Sequence, residues 1–135
     1  MLRKGKTGWR LAAAVVLAVL SVGFCPGGTQ AKEAVHGAVV DTVAIAELPV
    51  QGRNMVKLIY QGGPFNYDKD GSVFGNRERI LPAKTRSYYR EYTVRTPGDR
   101  SRGARRIVCG GFVPTTPDAC YYTDDHYASF RRIIQ

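Results

Sequence analysis

The chain is short and basic: 135 residues, 20 Lys and Arg against 11 Asp and Glu, and a formal charge of +9. That length leaves room for a single small core. Three cysteines and two well-separated histidines argue against a Cys/His zinc site, and the charge favours a polyanionic partner without requiring one.

The first residues have the pattern of an export signal. Arg3, Lys4, Lys6 and Arg10 precede an apolar run of 14 residues, Leu11–Phe24, and the polar stretch Pro26–Lys32 ends it. The run is too short for a comfortable membrane span and matches a signal-peptide core. Thr29-Gln30-Ala31 offers a small-residue cleavage site, so Met1–Ala31 is expected to be removed and Lys32–Gln135 to form the mature domain. Removing four basic residues and no acid lowers the formal charge from +9 to +5. A retained anchor and lipidation at Cys25 are the alternatives; bulky Phe24 before the cysteine disfavours the second. His36, in an unpatterned stretch, is expected to carry no chemistry.

Lys32–Leu48 is apolar and weakly patterned, which suggests an extended arm. Pro49 suits the first turn of a helix, and Met55, Val56, Leu58 and Ile59 repeat at helical spacing before Gly62-Gly63-Pro64 stops it. Strand-like runs follow at Ser72–Phe74, Ser87–Arg95, Arg105–Cys109, Cys120–Thr123 and Ser129–Ile134, separated by Gly, Pro and Asp. One helix and then about five short strands predict an α+β fold, the helix on one face of a twisted antiparallel sheet. The other face is expected to be open to a ligand. Cys109 and Cys120 flank a loop containing Gly110, Gly111, Pro114 and Pro117, which suits a hairpin. A disulfide is expected there in an oxidising compartment; the alternative is one buried and one exposed free thiol.

Strand parity puts Glu91 on one face with Tyr89 and Thr93, and Arg90, Tyr92 and Val94 on the other. Glu is disfavoured in mid-strand, so Glu91 needs cationic partners unless that face is simply solvated. Arg100, Arg102, Arg105 and Arg106 form a cluster that reads equally as a solvated loop or an anion site. Guanidinium forks grip phosphate oxygens bidentately. His126, in Asp125-His126-Tyr127, would be a structural histidine but for its company. A carboxylate base, an imidazole acid and fixed positive charge are what metal-free cleavage of a phosphodiester needs.

These segments, in order, resemble one known family. Gly63-Pro64-Phe65, Asp70-Gly71, Val73-Phe74-Gly75-Asn76-Arg77-Glu78, Leu81-Pro82, Tyr88-Tyr89-Arg90-Glu91-Tyr92-Thr93-Val94, Thr96-Pro97-Gly98, Arg102-Gly103-Ala104-Arg105-Arg106-Ile107 and Tyr122-Thr123-Asp124-Asp125-His126-Tyr127 are similar to the secreted microbial guanyl-specific ribonucleases, the barnase relatives of the short branch. The similarity spans Leu48 to Ile133. It implies Glu91 as general base, His126 as general acid, and Arg102 and Arg106 as phosphate holders. It also implies Phe74, Gly75, Asn76, Arg77 and Glu78 as a guanine-binding loop flanked by Tyr127. Single-stranded RNA would be cleaved 3′ of guanine by transphosphorylation to a 2′,3′-cyclic phosphate and then hydrolysis, with no cofactor and no metal, by a secreted monomer free of the membrane. Three features depart from the family: the loop after Cys109 is longer, Ala44 and Gln135 stand where relatives link their two ends by a disulfide, and Gly75 replaces an often polar residue. Two other readings stay open: a secreted module that binds RNA or another polyanion without cutting it, with Tyr88, Tyr89 and Tyr127 as stacking platform, and the same nuclease as a toxin restrained by an acidic, barstar-like inhibitor.

Overall fold

The computed structural model describes residues 40–135; the export segment, its cleavage site, Cys25 and His36 lie outside them. The helix α1 runs Val50–Gln61 directly after Pro49, whose fixed φ and missing N–H suit a helix start. Gly62, at φ 79°, ends it, and the amides of Gly62 and Gly63 donate to Ile59 O and Leu58 O, closing the last turn as a left-handed glycine does.

Among the described residues six strands form one sheet: β1 Asp41–Ala44, β2 Ser72–Val73, β3 Tyr89–Thr93, β4 Arg106–Gly110, β5 Ala119–Thr123 and β6 Arg131–Ile134. Their order is β1-β6-β5-β4-β3-β2. The five expected strands are all present, with ends shifted by one or two residues: β2, β3 and β6 are shorter than expected, β4 starts and ends one residue later, and β5 starts one residue earlier. The sheet is mixed rather than antiparallel, because β1 pairs in parallel with β6, Asp41 opposite Arg131 and Ala44 opposite Ile134. Part of the expected extended arm is therefore a sixth strand, followed by a 3₁₀ turn at Ile45–Glu47. In place of an end-to-end cross-link, the two ends of the domain are joined by this ladder.

Side chains of the central strands divide between two faces. Met55, Val56 and Ile59 of α1 pack with Tyr92, Val94, Ile107, Cys109, Cys120 and Tyr122. Tyr89, Val108 and Tyr121 point the other way, against Leu81, Tyr88 and Phe130. Every residue of β4 is buried, so it forms the spine of both layers. The second face is thus not fully open: a small core covers one end and a cleft occupies the other. Cys109 and Cys120 face each other across β4 and β5 and form a disulfide, their Cα atoms 4.0 Å apart.

Candidate active site

The cleft has a volume of about 1530 Å³, and Glu91, Arg102, His126, Tyr127 and the whole segment Phe74–Glu78 line it. Glu91 sits at the middle of β3 and turns into the cleft, as parity predicts. Its side chain is 13% exposed and lies 3.3 Å from Arg102 Nη2. Arg102 is held from below: its Nε and Nη2 donate to Thr93 Oγ1 at 3.0 and 2.9 Å. Thr93, two residues along the strand from Glu91, is itself buried.

Arg106 behaves differently from Arg102. It is only 2% exposed and stands behind the cleft wall. Its Nη1 donates to the carbonyls of Arg102, Gly103 and Arg105 at 3.3, 2.8 and 2.7 Å, and its Nε donates to the Tyr127 hydroxyl at 3.1 Å. Gly103 makes this wrapping feasible: at φ 63° a Cβ there would come 2.6 Å from Thr96 Oγ1. The Tyr127 hydroxyl in turn donates a short hydrogen bond to Glu91 Oε2. Burial, then the bond to Glu91, pushes the Tyr127 phenol up to about 12, so it stays protonated and acts as donor to the carboxylate. Arg106, Tyr127 and Glu91 form a relay from the interior to the cleft floor. The rest of the arginine cluster diverges, and neither Arg100 nor Arg105 lines the cleft.

His126 is exposed on the loop after β5. Two consecutive non-glycine residues there adopt left-handed backbone, His126 at φ 57° and Tyr127 at φ 71°, a conformation that costs about 1–3 kcal/mol each and persists only where the surroundings impose it. The surroundings do so. The Asp125 carboxylate accepts from Thr123 Oγ1, Ser129 N and Ser129 Oγ, Tyr127 N donates to Thr123 Oγ1, and His126 N donates to Ala104 O. Bonding by Ser129, Thr123 and nearby amides holds the Asp125 carboxyl down at about 2.

The facing loop is built in the same manner. Asn76 (φ 44°) and Arg79 (φ 53°) are left-handed, and the Asn76 side chain staples the loop shut, Nδ2 donating to Leu81 O at 2.9 Å and Oδ1 accepting from Leu81 N at 3.1 Å. That amide is spent on the loop, which leaves the backbone and the exposed Glu78 carboxylate to meet a ligand. Phe74 stacks on Tyr127 with centroids 5.2 Å apart and planes inclined 22°, joining the loop to the side of the cleft that carries Glu91 and His126. A Cβ on Gly75 would meet only Arg77, at ordinary contact distance, so its lack of side chain is not a backbone requirement.

The structure therefore brings every site residue expected from the sequence to one cleft, with Arg106 as its backing rather than its lining. It corrects the aromatic platform: Tyr88 and Tyr89 are buried core, and burial raises both phenols, Tyr88 to about 12. Three features are not apparent from the sequence: Thr93 as a support beyond its face, Asp125 as a brace, and the cations Lys69, Arg79, Lys84 and Arg86 that also line the cleft. Strand parity signalled the first; nothing local signalled the others.

A family model described as ribonuclease matches residues 30–134. The chain belongs to the ribonuclease family. Over 94 residues it is 52% identical to guanyl-specific ribonuclease Sa3 of Kitasatospora aureofaciens, an alignment that spans 70% of this chain and 64% of that protein. It is 50% identical to guanyl-specific ribonuclease Sa of the same organism, over 70% of this chain and 94% of that one. Among solved structures, ribonuclease Sa2 in complexes with mononucleotides superimposes with a TM-score of 0.66 at 43% identity, covering 71% of this chain and 95% of Sa2. Ribonuclease Sa2 with guanosine-2′-cyclophosphate gives 0.63 at 44% identity, covering 70% and 96%.

Proposed function

We propose that this family member is an extracellular guanyl-specific endoribonuclease that cleaves single-stranded RNA on the 3′ side of guanine. The observation that carries the reading is the meeting of a braced carboxylate, Glu91, an exposed imidazole, His126, and Arg102 in one cleft with the stapled loop ending at Glu78. Glu91 removes the proton of the ribose 2′-hydroxyl, whose oxygen attacks phosphorus. The bond to the 5′-oxygen breaks as His126 protonates it, leaving a 2′,3′-cyclic phosphate. In the second step His126 deprotonates water and Glu91 returns a proton to the 2′-oxygen. Because the nucleophile belongs to the substrate and is held beside the phosphorus, proximity supplies much of the rate. Arg102 faces the phosphorane directly, while Arg106 acts from behind through its unengaged Nη2 and through Tyr127.

Guanine preference follows from Glu78. A carboxylate facing the purine edge accepts from N1–H and the exocyclic amine side by side, which adenine does not offer, and an unpaired acceptor in a bound complex is costly. Export is supported by the signal-like N-terminus and by the Cys109–Cys120 disulfide, which persists in oxidising compartments. Burial of Tyr88 and Tyr89 removes most of the stacking surface that a non-cutting RNA-binding module would need. The test is Glu78→Gln: cleavage of guanylyl dinucleotides should collapse toward the adenylyl rate with the fold intact. A variant that keeps the full preference for guanine would reject Glu78 as the reader.

A further inference from the structure

The loop between β4 and β5 carries a side chain for which the cleft chemistry has no use. Phe112 is 78% exposed and Val113 beside it 55%. The loop is nevertheless fixed. The disulfide closes its base, Asp118 N donates to Gly110 O and Thr116 N to Val113 O, and the Tyr88 hydroxyl donates to the Asp118 carboxylate at 2.8 Å. The Phe112 ring stands edge-on to Tyr88 with centroids 5.5 Å apart. The Lys84 ammonium lies 5.2 Å from the centre of that same Tyr88 ring, and Lys84 and Arg86 both line the cleft. An exposed aromatic ring held rigidly and joined to a basic cleft wall suits a single-stranded base, which stacks on such a ring while cations take its phosphates.

The sheet gives the direction of the strand. His126 follows Thr123, which is paired through Arg106 to Thr93, the far end of β3. Phe112 follows Gly110, which is paired with Tyr89 at the near end of β3. With the scissile phosphate at Glu91 and its leaving group toward His126, the opposite end of β3 receives the chain that precedes the guanosine. We propose that Phe112, with Lys84 and Arg86, forms a subsite for the nucleotide on the 5′ side of the guanosine. The proposal rests on the guanyl-ribonuclease reading of the cleft and adds a binding position to it.

The experiment compares kcat/KM on guanylyl-3′,5′-uridine with oligonucleotides that hold a single guanine and extend from it on the 5′ or the 3′ side only. The 5′ extension should raise kcat/KM of the wild type about tenfold, the worth of one modest base–aromatic stack. Phe112→Ala should lose that gain and keep the dinucleotide rate, which also shows that it folds, while Phe112→Trp should retain the gain. Phe112→Ala with the full gain, or with an equal loss on 3′-extended substrates, would overturn the subsite. So would a Phe112→Ala defect confined to binding phosphatidylcholine–phosphatidylserine vesicles, which would assign the tip to a lipid surface. Failure of the underlying reading looks different: the wild type would then cleave adenylyl-3′,5′-uridine as fast as the guanylyl substrate.

Discussion

Tyr127→Phe removes one oxygen atom and isolates the relay from Arg106 to Glu91. The ring is kept, and with it the stacking on Phe74. What is lost is an acceptor for Arg106 Nε at 3.1 Å and a donor to Glu91 Oε2. Both partners are charged, and hydrogen bonds to charged groups contribute about 1.5–3 kcal/mol each. Glu91 keeps Arg102 Nη2 at 3.3 Å and can recruit water from the cleft, so its share is small. Arg106, nearly sealed from solvent, has no such recourse. A stability loss of about 2 kcal/mol is expected, which for a domain of this size lowers Tm by about 10 °C. The kcat on a guanylyl dinucleotide should fall about tenfold, the cost of about 1.4 kcal/mol of transition-state stabilisation, because Glu91 loses the bond that aims it. Calorimetry and steady-state kinetics on the same preparation read both effects. A variant within about 0.5 kcal/mol of the wild type and of undiminished kcat would show that the hydroxyl bridges nothing, and the relay would have to be abandoned.

Three further outcomes follow from the same geometry. Thr93→Val removes the oxygen that holds Arg102 Nε and Nη2; since Arg102 can turn to water, stability should change by less than about 1 kcal/mol while kcat/KM falls about tenfold, and an unchanged kcat/KM would deny Thr93 its positioning role. Asp125, held at about 2 against an ordinary 3.8, contributes stability that is fully present above about pH 4 and lost as the pH falls toward 2; urea titrations should show Asp125→Ala losing that stretch of acid dependence, and parallel curves for variant and wild type would contradict it. Reducing Cys109–Cys120, eleven residues apart, should cost about 3 kcal/mol on the chain-entropy account, and a midpoint unmoved by reductant would show the bond to be energetically idle.

Much of this architecture is local enough to be legible in the sequence. The helix declares itself by Pro49, its apolar spacing and Gly62, and five strands are bounded by Gly, Pro and Asp. Alternation on β3 correctly sends Glu91 and Thr93 to one face and Tyr92 to the other. The strand β1 escapes because its partner β6 lies at the opposite end of the chain and Val43 is its one buried residue, so no alternation marks it. Arg106, the last of its cluster before an apolar strand, is legible as an anchored side chain, but its place behind the cleft that Arg102 lines is set by the left-handed turn at Gly103 and by Tyr127 from the loop after β5. The braces of the two loops, Asn76 and Asp125, are ordinary polar residues until the left-handed backbone at Asn76, Arg79, His126 and Tyr127 shows what they hold. Motif order recovers the chemical groups; the support that aims them is set by tertiary contacts.

In the proposed reaction this cleft turns the ribose 2′-hydroxyl against its own phosphodiester after guanine. The most direct measurement is identification of the ends formed when the domain digests a defined single-stranded RNA in excess chelator. Early products should end in guanosine 2′,3′-cyclic phosphate, later converted to guanosine 3′-phosphate, with no cleavage of an analogue whose guanosine carries 2′-deoxyribose. Products with 5′-phosphate ends, or cutting of the 2′-deoxy analogue at a similar rate, would contradict it.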